Sequence, residues 1–266
     1  MGCFTIATWN VNSLKVRLPQ VLEYLENYSI DALCLQELKL QDSDVPRAEF
    51  EEAGFDIYCN AQKTYNGVAT IIRKGSCDGF IDIQNNNPLY EDPQKRLITG
   101  TLVKGNTQIR LVNGYFPNGE SLESDKYSYK IAWLNKLNEY IHQELQERSN
   151  LILVGDFNIV PEDCDCHDPE DWRDSVLCSS SVREVFFSLK KLGLFDAFRQ
   201  FPQPDKSYSW WDYRMLAFRR NRGLRIDHIL ISKNLIDKNR STQIDKKIRA
   251  NERPSDHAPV RIELDL

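Results

Sequence analysis

The sequence predicts an α/β fold in which two β-sheets pack face to face with helices on the outside. Two observations carry this. Short apolar runs recur along the whole chain, closed by Gly, Asn or Pro, which is the punctuation of strands. Only a few segments show helical spacing, and many strands with few helices is the pattern of packed sheets. No linker-like or low-complexity tract divides the 266 residues, so residues 1–266 are read as a single domain. A chain of this length buries a substantial core without staples.

The elements follow in order. Residues 4–9 read as a buried strand, and residues 17–27 carry Leu18, Val21, Leu22 and Leu25 at helical spacing. Residues 32–36 form a second short apolar run. Strands are expected over 55–59, 67–73, 97–103 and 108–115. Residues 126–147 are the longest helix, with Ile131, Leu134, Ile141 and Leu145 on one face. An apolar strand over 151–154 runs into Gly155-Asp156, an amphipathic helix covers 181–192, and strands at 226–232 and 260–264 complete the chain. A strand followed by Asn-x-Asn at residues 10–12, and a strand followed by Asp-x-Asn at 156–158, give a faint echo of internal duplication.

Hydrophobic content of 41% and charged content of 27% are those of a soluble globular protein. A net charge of −5 excludes polyanion binding by the whole surface but leaves room for a local basic groove. Residues 213–226 hold Arg214, Arg219, Arg220, Arg222 and Arg225 and no acid, which suits a phosphate-facing surface or a solvated basic loop. The seven cysteines form no framework and read as reduced thiols of a cytosolic protein. Cys164-Asp165-Cys166-His167 lacks zinc-site spacing and reads as a surface loop. A strand entered by Phe4 leaves no room for a signal peptide, and no apolar run nears the ~18 residues that span a bilayer.

Polar clusters stand at the strand ends. They are Asn10-Val11-Asn12, Gln36-Glu37, Gly155-Asp156-Phe157-Asn158 and Pro254-Ser255-Asp256-His257-Ala258-Pro259. The last sets a carboxylate beside an imidazole between two stiff prolines. Asp227-His228 lies inside a strand. Any one of these residues alone is explained as well by a cap or a turn. Together they can form a phosphoryl-displacement site. Glu37, with Asn12 or Asp256, can hold Mg²⁺ through oxygen ligands. Asp156 can orient or deprotonate a water, Asn10 and Asn158 can position it, and His257 titrates near neutrality. The Tyr115 phenol can donate to a phosphate. Tyr208, Trp210, Trp211 and Tyr213 are packing residues, or close over an extrahelical nucleotide.

These residues resemble one family closely. The strings Thr8-Trp9-Asn10-Val11-Asn12-Ser13-Leu14, Leu35-Gln36-Glu37-Leu38-Lys39 and Asn113-Gly114-Tyr115-Phe116-Pro117-Asn118-Gly119 resemble exodeoxyribonuclease III-type apurinic/apyrimidinic endonucleases. So do Val154-Gly155-Asp156-Phe157-Asn158, Asn221-Arg222-Gly223-Leu224-Arg225-Ile226-Asp227 and the string ending at Pro259. The wider group is the endonuclease/exonuclease/phosphatase superfamily. The resemblance implies a four-layered αββα sandwich of two packed mixed sheets, DNase I-like. It implies Mg²⁺-dependent cleavage of duplex DNA 5′ of abasic sites and at 3′ ends, with Mn²⁺ as a possible substitute. Carried over by position, Glu37 is the main metal ligand. Asn12 stands where relatives have Asp or Asn, and an Asn there lowers the site's negative charge. Asp256 aligns with a further ligand. Tyr115 and Asn118 contact phosphate. Asp156 positions or activates water or protonates the leaving group. Asn158 helps to place the nucleophile, Asn10 supports the site, and Asp227 pairs with His257. A protein of the bacterial cytosol is also implied, and a monomer with no membrane partner is taken as the default.

Trp210 aligns with one wall of a pocket for a base-less sugar and Leu224 with the opposite wall. Such a pocket admits an abasic deoxyribose and clashes with an intact nucleoside, and flipping a base-less nucleotide avoids most of the unstacking cost. Arg222 and its neighbours in 214–225, with Lys39 and Arg73, are expected to grip flanking phosphates without reading sequence. Two alternatives stand beside this: a phosphodiesterase of the same superfamily acting on another substrate, and an inactive DNA-binding scaffold.

Overall fold

A computed structural model describes residues 2–266. The strands are β1 (Cys3–Asn10), β2 (Ala32–Gln36), β3 (Phe55–Asn60), β4 (Val68–Arg73), β5 (Gly79–Asn85), β6 (Leu97–Lys104), β7 (Thr107–Tyr115), β8 (Leu151–Asp156), β9 (Leu194–Asp196), β10 (Asp227–Ser232), β11 (Asn239–Ile244) and β12 (Val260–Asp265). The helices are α1 (Leu14–Asn27), α2 (Arg47–Glu52), α3 (Asp125–Glu147), α4 (Pro169–Trp172) and α5 (Ser180–Lys191). Two six-stranded mixed sheets result, ordered β11-β12-β1-β2-β4-β3 and β5-β6-β7-β8-β10-β9.

Alternation along the strands builds the layers. Phe4 and Ile6 of β1, and Ile152 and Val154 of β8, point between the sheets into one shared core. Their neighbours Ala7 and Trp9 face outwards onto α1 and α2, where Val21, Leu25 and Phe50 cover them. Leu151 and Leu153 face the other way, onto Leu134, Leu137 and Ile141 of α3 and Phe186 and Leu189 of α5. Period-two strands against period-3.6 helices give four layers, the αββα sandwich that the sequence implied.

The elements the sequence reading passed over are mainly short or at the sheet margins. β5, β9 and β11 are three of the four edge strands. Edge strands need little apolar surface: β11 reads Asn-Arg-Ser-Thr-Gln-Ile and buries only Asn239 and Thr242. α1 also begins earlier than its spacing suggested, at Leu14, and carries Pro19 within it.

The echo of duplication exists in the topology, but not where the Asn-x-Asn and Asp-x-Asn strings placed it. β1-α1-β2 is a parallel crossover, and β7-α3-β8 repeats it in the second sheet. Each is continued by an antiparallel pair, β3-β4 in one and β9-β10 in the other. The repeat therefore matches β1 with β7 and β2 with β8, so Gln36 and Asp156 are counterparts, whereas Asn10 corresponds to Tyr115.

This arrangement gathers the polar strand ends. Asn10 pairs with Gln36, Tyr115 with Asp156, and Asp227 with Asp156, while Val260, which follows the Asp256-His257 loop, pairs with Thr8. All lie along one edge of the sandwich.

Candidate active site

The local backbone at this edge is unusual. Asn12, Glu37, Lys39 and Asn158 have φ of 44°, 55°, 55° and 49°. Non-glycine residues held there cost on the order of 1–3 kcal/mol each, and such strain persists where surrounding contacts enforce it. Here the enforcement is visible. The Asn12 amide donates to Asn10 Oδ1 at 2.9 Å, and the Asn158 amide to Asp156 Oδ1 at 3.0 Å. Gly155 is required before Asp156: at φ 144° a Cβ there would lie 1.8 Å from the Gly114 carbonyl oxygen.

Asn10 joins the two sheets chemically. Its Nδ2 donates to Glu37 Oε1 at 2.8 Å and to Asp156 Oδ2 at 2.9 Å. Beyond Asp156, His257 Nε2 lies 3.7 Å from Asp156 Oδ2, while its Nδ1 lies 2.9 Å from Asp227 Oδ2. Ser209 Oγ donates to that same Asp227 oxygen at 2.6 Å. The loop carrying His257 is pinned by Ser255 Oγ, which donates to the Asn10 carbonyl at 2.6 Å, and by Trp9 Nε1, which donates to the His257 carbonyl at 3.2 Å.

Burial and charge set the proton positions. Burial pushes the Asp156 carboxyl up to about 7; His257 and Asn10 pull it down, and Asp227 and Glu37 push it further up. Burial opposes the charge on His257, but the Asp227 and Asp156 carboxylates outweigh it and raise that imidazole to about 10. The proton of this buried pair therefore rests on His257. Burial, followed by the Glu37 and Asp156 carboxylates, holds the Tyr115 phenol far above the usual tyrosine range, so it remains a donor. The Arg96 guanidinium covers the Tyr115 ring at 4.7 Å.

A cavity of about 590 Å³ opens over these groups. Glu37, Tyr115, Asn118, Asp156, Asn158, Trp210, Asp256 and His257 all line it. Asn118 Nδ2 donates to Asn158 Oδ1 at 3.1 Å, and Trp210 Nε1 to Asp256 Oδ2 at 2.9 Å. Asn10, Asn12, Asp227 and Lys39 stand directly behind this lining, tied to it by hydrogen bonds and ion pairs.

Two groups of side chains can hold a cation. Asp156, Asp227 and His257 bring possible ligand atoms within 4.8 Å of one another. The protonated His257 between two carboxylates speaks against a metal there. The second group is Glu37, Asn12 and Asp256. Lys39 Nζ lies 2.8 Å from Glu37 Oε2 and 2.5 Å from Asn12 Oδ1, so a positive charge already sits among these oxygens. An all-oxygen donor set of this kind fits a hard divalent ion. Asn12 Nδ2 donates to Asp256 Oδ1 at 3.0 Å, which leaves its amide oxygen turned toward Lys39 Nζ.

Four expectations are corrected. Arg73 is not at the site. β4 runs antiparallel to β2, so Val68 is beside Gln36 and Arg73 ends the strand at the opposite edge. Its guanidinium donates to the Ile30 and Leu25 carbonyls and stacks over Phe55. Leu224 is not a cavity wall: it is fully buried among Val160, Cys166 and Val176, and the apolar wall facing Trp210 comes from Val176, Leu177 and Ile226. Arg225 is not on the phosphate-facing surface, being buried against Asp165 and Asp196, whereas Arg222 is exposed outside the cavity lining, a position open to a flanking phosphate. The Cys164-Asp165-Cys166-His167 string is accordingly more than a surface loop, since Asp165 and Cys166 are buried.

Some residues at the site went unforeseen. Trp172 of α4 lines the cavity, its ring edge-on to Trp210 at 6.2 Å between centroids. Ser209 orients Asp227, and Lys130 lies beneath Asn118 and Asn158. Ser209 carried a weak signal, being next to Trp210; Trp172 and Lys130 carried none.

Comparison with known proteins gives a consistent result. The family described as Endonuclease/Exonuclease/phosphatase matches residues 7–257. The chain is 34% identical over 265 residues to exodeoxyribonuclease III of Haemophilus influenzae, covering 97% of this chain and 98% of that one. It superposes at a TM-score of 0.93 on a 3′ phosphatase from Neisseria bound to a product DNA hairpin, at 44% identity, covering 99% of this chain and 100% of that one. An AP endonuclease from Archaeoglobus fulgidus superposes at a TM-score of 0.92 with 31% identity and the same coverage.

Proposed function

The chain belongs to the endonuclease/exonuclease/phosphatase family, and we propose that it is a magnesium-dependent DNA repair nuclease that incises duplex DNA 5′ of abasic sites and clears 3′ ends. The observation that carries this is the buried Asp227–His257–Asp156 line, joined through Asn10 to Glu37, that opens into a cavity walled by Trp210. Its relatives' names support the same reaction class, and the 44% identical Neisseria protein supports the 3′-end arm in particular.

The chemistry is hydrolysis by in-line attack of water on a phosphodiester. Asp156 and Asn158 hold the attacking water, and the Asp156 carboxylate accepts its proton. The Tyr115 phenol and the Asn118 amide donate to non-bridging oxygens. The His257 imidazolium, fixed by Asp227, faces the negative charge that grows on the phosphorus oxygens. Glu37, with Asn12 and Asp256, would hold the cation. Such a cation, magnesium or in its place manganese, would supply Lewis-acid chemistry to the phosphodiester. The cavity takes a base-less deoxyribose or a 3′-terminal sugar against Trp210, Trp172, Val176 and Ile226.

We read residues 1–266 as one domain, because a single inter-sheet core joins β1 and β12 to β8 and β10. We assign the protein to the bacterial cytosol as a monomer. No described helix is long and apolar enough to cross a membrane.

The test uses a labelled duplex with one stable abasic analogue, a duplex with a 3′-phosphate at a nick, and an undamaged control, each with Mg²⁺ and with a chelator. Metal-dependent incision 5′ of the lesion and release of the 3′-phosphate are expected. Metal-independent cleavage, or no cleavage of any duplex, overturns the proposal.

A further inference from the structure

α3 carries a buried cation whose hydrogen bonds all go to main-chain carbonyls. Lys130 is fully buried, and its Nζ donates to the carbonyl oxygens of Asn118 at 3.1 Å, Asn158 at 2.7 Å and Val176 at 2.9 Å. An ammonium has three N–H donors, so its capacity is fully used. The three acceptors come from three separate segments: the turn after β7, the turn after β8, and the stretch after α4. All three residues line the cavity, and Asn118 Nδ2 also donates to Asn158 Oδ1 at 3.1 Å.

The surroundings are shaped to admit this side chain. Gly119 follows Asn118 at φ 100°, and a Cβ there would lie 3.1 Å from Lys130 Cδ. Ser124 Oγ, at the start of α3, donates to the Gly119 carbonyl at 2.9 Å and holds the turn against the helix. Burial lowers Lys130 to about 7, so keeping a charge here is costly. An apolar side chain of similar length would fill the space without that cost, but would leave three buried carbonyls without donors. A lysine serving only the fold has no reason to choose its acceptors from one cavity.

We propose that Lys130 is a positioning residue for the phosphodiester reaction: it fixes the Asn118 and Asn158 turns and the Val176 wall relative to one another, and so sets the water-holding groups against the bound sugar. The inference rests on the functional reading above. Its effect falls on groups that face the reacting phosphorus, so it belongs to kcat more than to KM.

The experiment is a double-mutant cycle of Lys130→Met and Asn158→Ala, read as single-turnover kcat and KM on the abasic duplex, with thermal melting of each variant. Lys130→Met is expected to lower kcat about 10- to 100-fold with KM within about threefold of wild type. On the Asn158→Ala background its effect should be several-fold smaller than on wild type, because one of the groups it positions is gone. A lowered melting temperature with kcat and KM unchanged overturns the proposal, as do two effects that simply multiply. Should Lys130→Met be insoluble, Lys130→Gln, which keeps two N–H donors, takes its place in the cycle. If neither folds, the lysine holds the fold and the positioning role is wrong. A wild type that cleaves nothing sinks the functional reading itself; an active wild type beside an indifferent Lys130 variant sinks this inference alone.

Discussion

Replacing Asp227 by Asn should damage stability and catalysis by one mechanism. Two donors face the Asp227 carboxylate. Ser209 Oγ donates to Oδ2 at 2.6 Å, and His257 Nδ1 donates at 2.9 Å to Oδ2 and 3.1 Å to Oδ1. Ser209 has no other outlet for its proton, because its oxygen already accepts from the Ile226 and Asp227 amides at 3.1 Å each. An Asn side chain offers one acceptor oxygen and an NH₂ group, so with Ser209 on the oxygen the NH₂ faces His257 Nδ1, which must then give up its proton and accept. Loss of the charge compounds this, since Asp227 leads the carboxylates that raise His257 from 6.5 to about 10. Asp227→Asn should cost about 3 kcal/mol, the lower end for breaking a buried ion pair. The sign with pH follows from linkage. A histidine raised in the folded state stabilises fully below its unfolded pKa of 6.5 and loses that contribution as pH rises through about 10. The stability gap between wild type and variant should therefore be widest in acid and narrow toward pH 10. Urea unfolding across that range, with NMR titration of the His257 ring, measures both quantities. A released ring should also lower kcat by on the order of 100-fold. A His257 pKa unmoved within about half a unit, with unchanged stability, would refute the reasoning.

Three further outcomes are expected. Asp156→Asn should abolish cleavage yet stabilise the protein: a carboxyl raised from 3.8 to about 7 costs folding energy that grows as pH rises through that window. The gain should reach up to about 4 kcal/mol near pH 8 and vanish near pH 4, and matching unfolding curves for the two proteins at both pH values would count against it. Arg73→Ala should lower stability by about 1–2 kcal/mol through its lost bonds to the Ile30 and Leu25 carbonyls. Its duplex affinity should be unchanged, and a loss of affinity in filter binding at constant stability would restore Arg73 to the DNA surface. Arg225→Met leaves the buried Asp196 carboxylate without its ion-pair partner and Asp165 with Arg199 alone, and should cost about 3 kcal/mol. Burial opposes the charge on Asp196, but Arg225, with His228 and Arg199, holds it below the usual carboxylate range, so the loss should shrink as pH falls and that group protonates; a loss independent of pH would contradict the pairing.

How far the sequence reached depends on the kind of information a residue carries. Asn10, Glu37, Asp156 and His257 were legible because each stands beside an apolar strand, and strands packed in sheets bring their ends together. Strand polarity was not legible. Arg73 and Val68 belong to the same strand, and only the antiparallel pairing with β2 shows which end faces the site. The edge strands β5, β9 and β11 escaped because an edge buries few side chains, and the internal repeat was sensed through the wrong pair of strings. Leu224 and Ile226 lie two residues apart in the same string, yet Ile226 lines the cavity and Leu224 lies buried behind it.

The least legible residues are the buried charges, because their meaning lies in partners distant along the chain. Arg225 looked like one more arginine in a basic loop. It is fully enclosed, with Asp165 and Asp196 completing its charge, and His228 Nδ1 lies 3.1 Å from its Nη1. Arg110 is similarly closed by Glu144 at 2.8 Å. Lys130 and Asp156 are buried as deeply but satisfied differently: the lysine has only carbonyl dipoles, and the carboxylate has an amide and an imidazolium 3.7 Å away. The first kind of charge keeps its ordinary ionisation and stabilises the fold while its partners stay. The second kind is pushed toward neutrality, Asp156 and Lys130 alike to about 7, and weakens the fold it sits in. Burial is common to both, so burial alone marks neither role. A buried charge left short of a full counter-charge is a standing cost, and in this molecule Lys130 and Asp156 bear that cost at the cavity's edge.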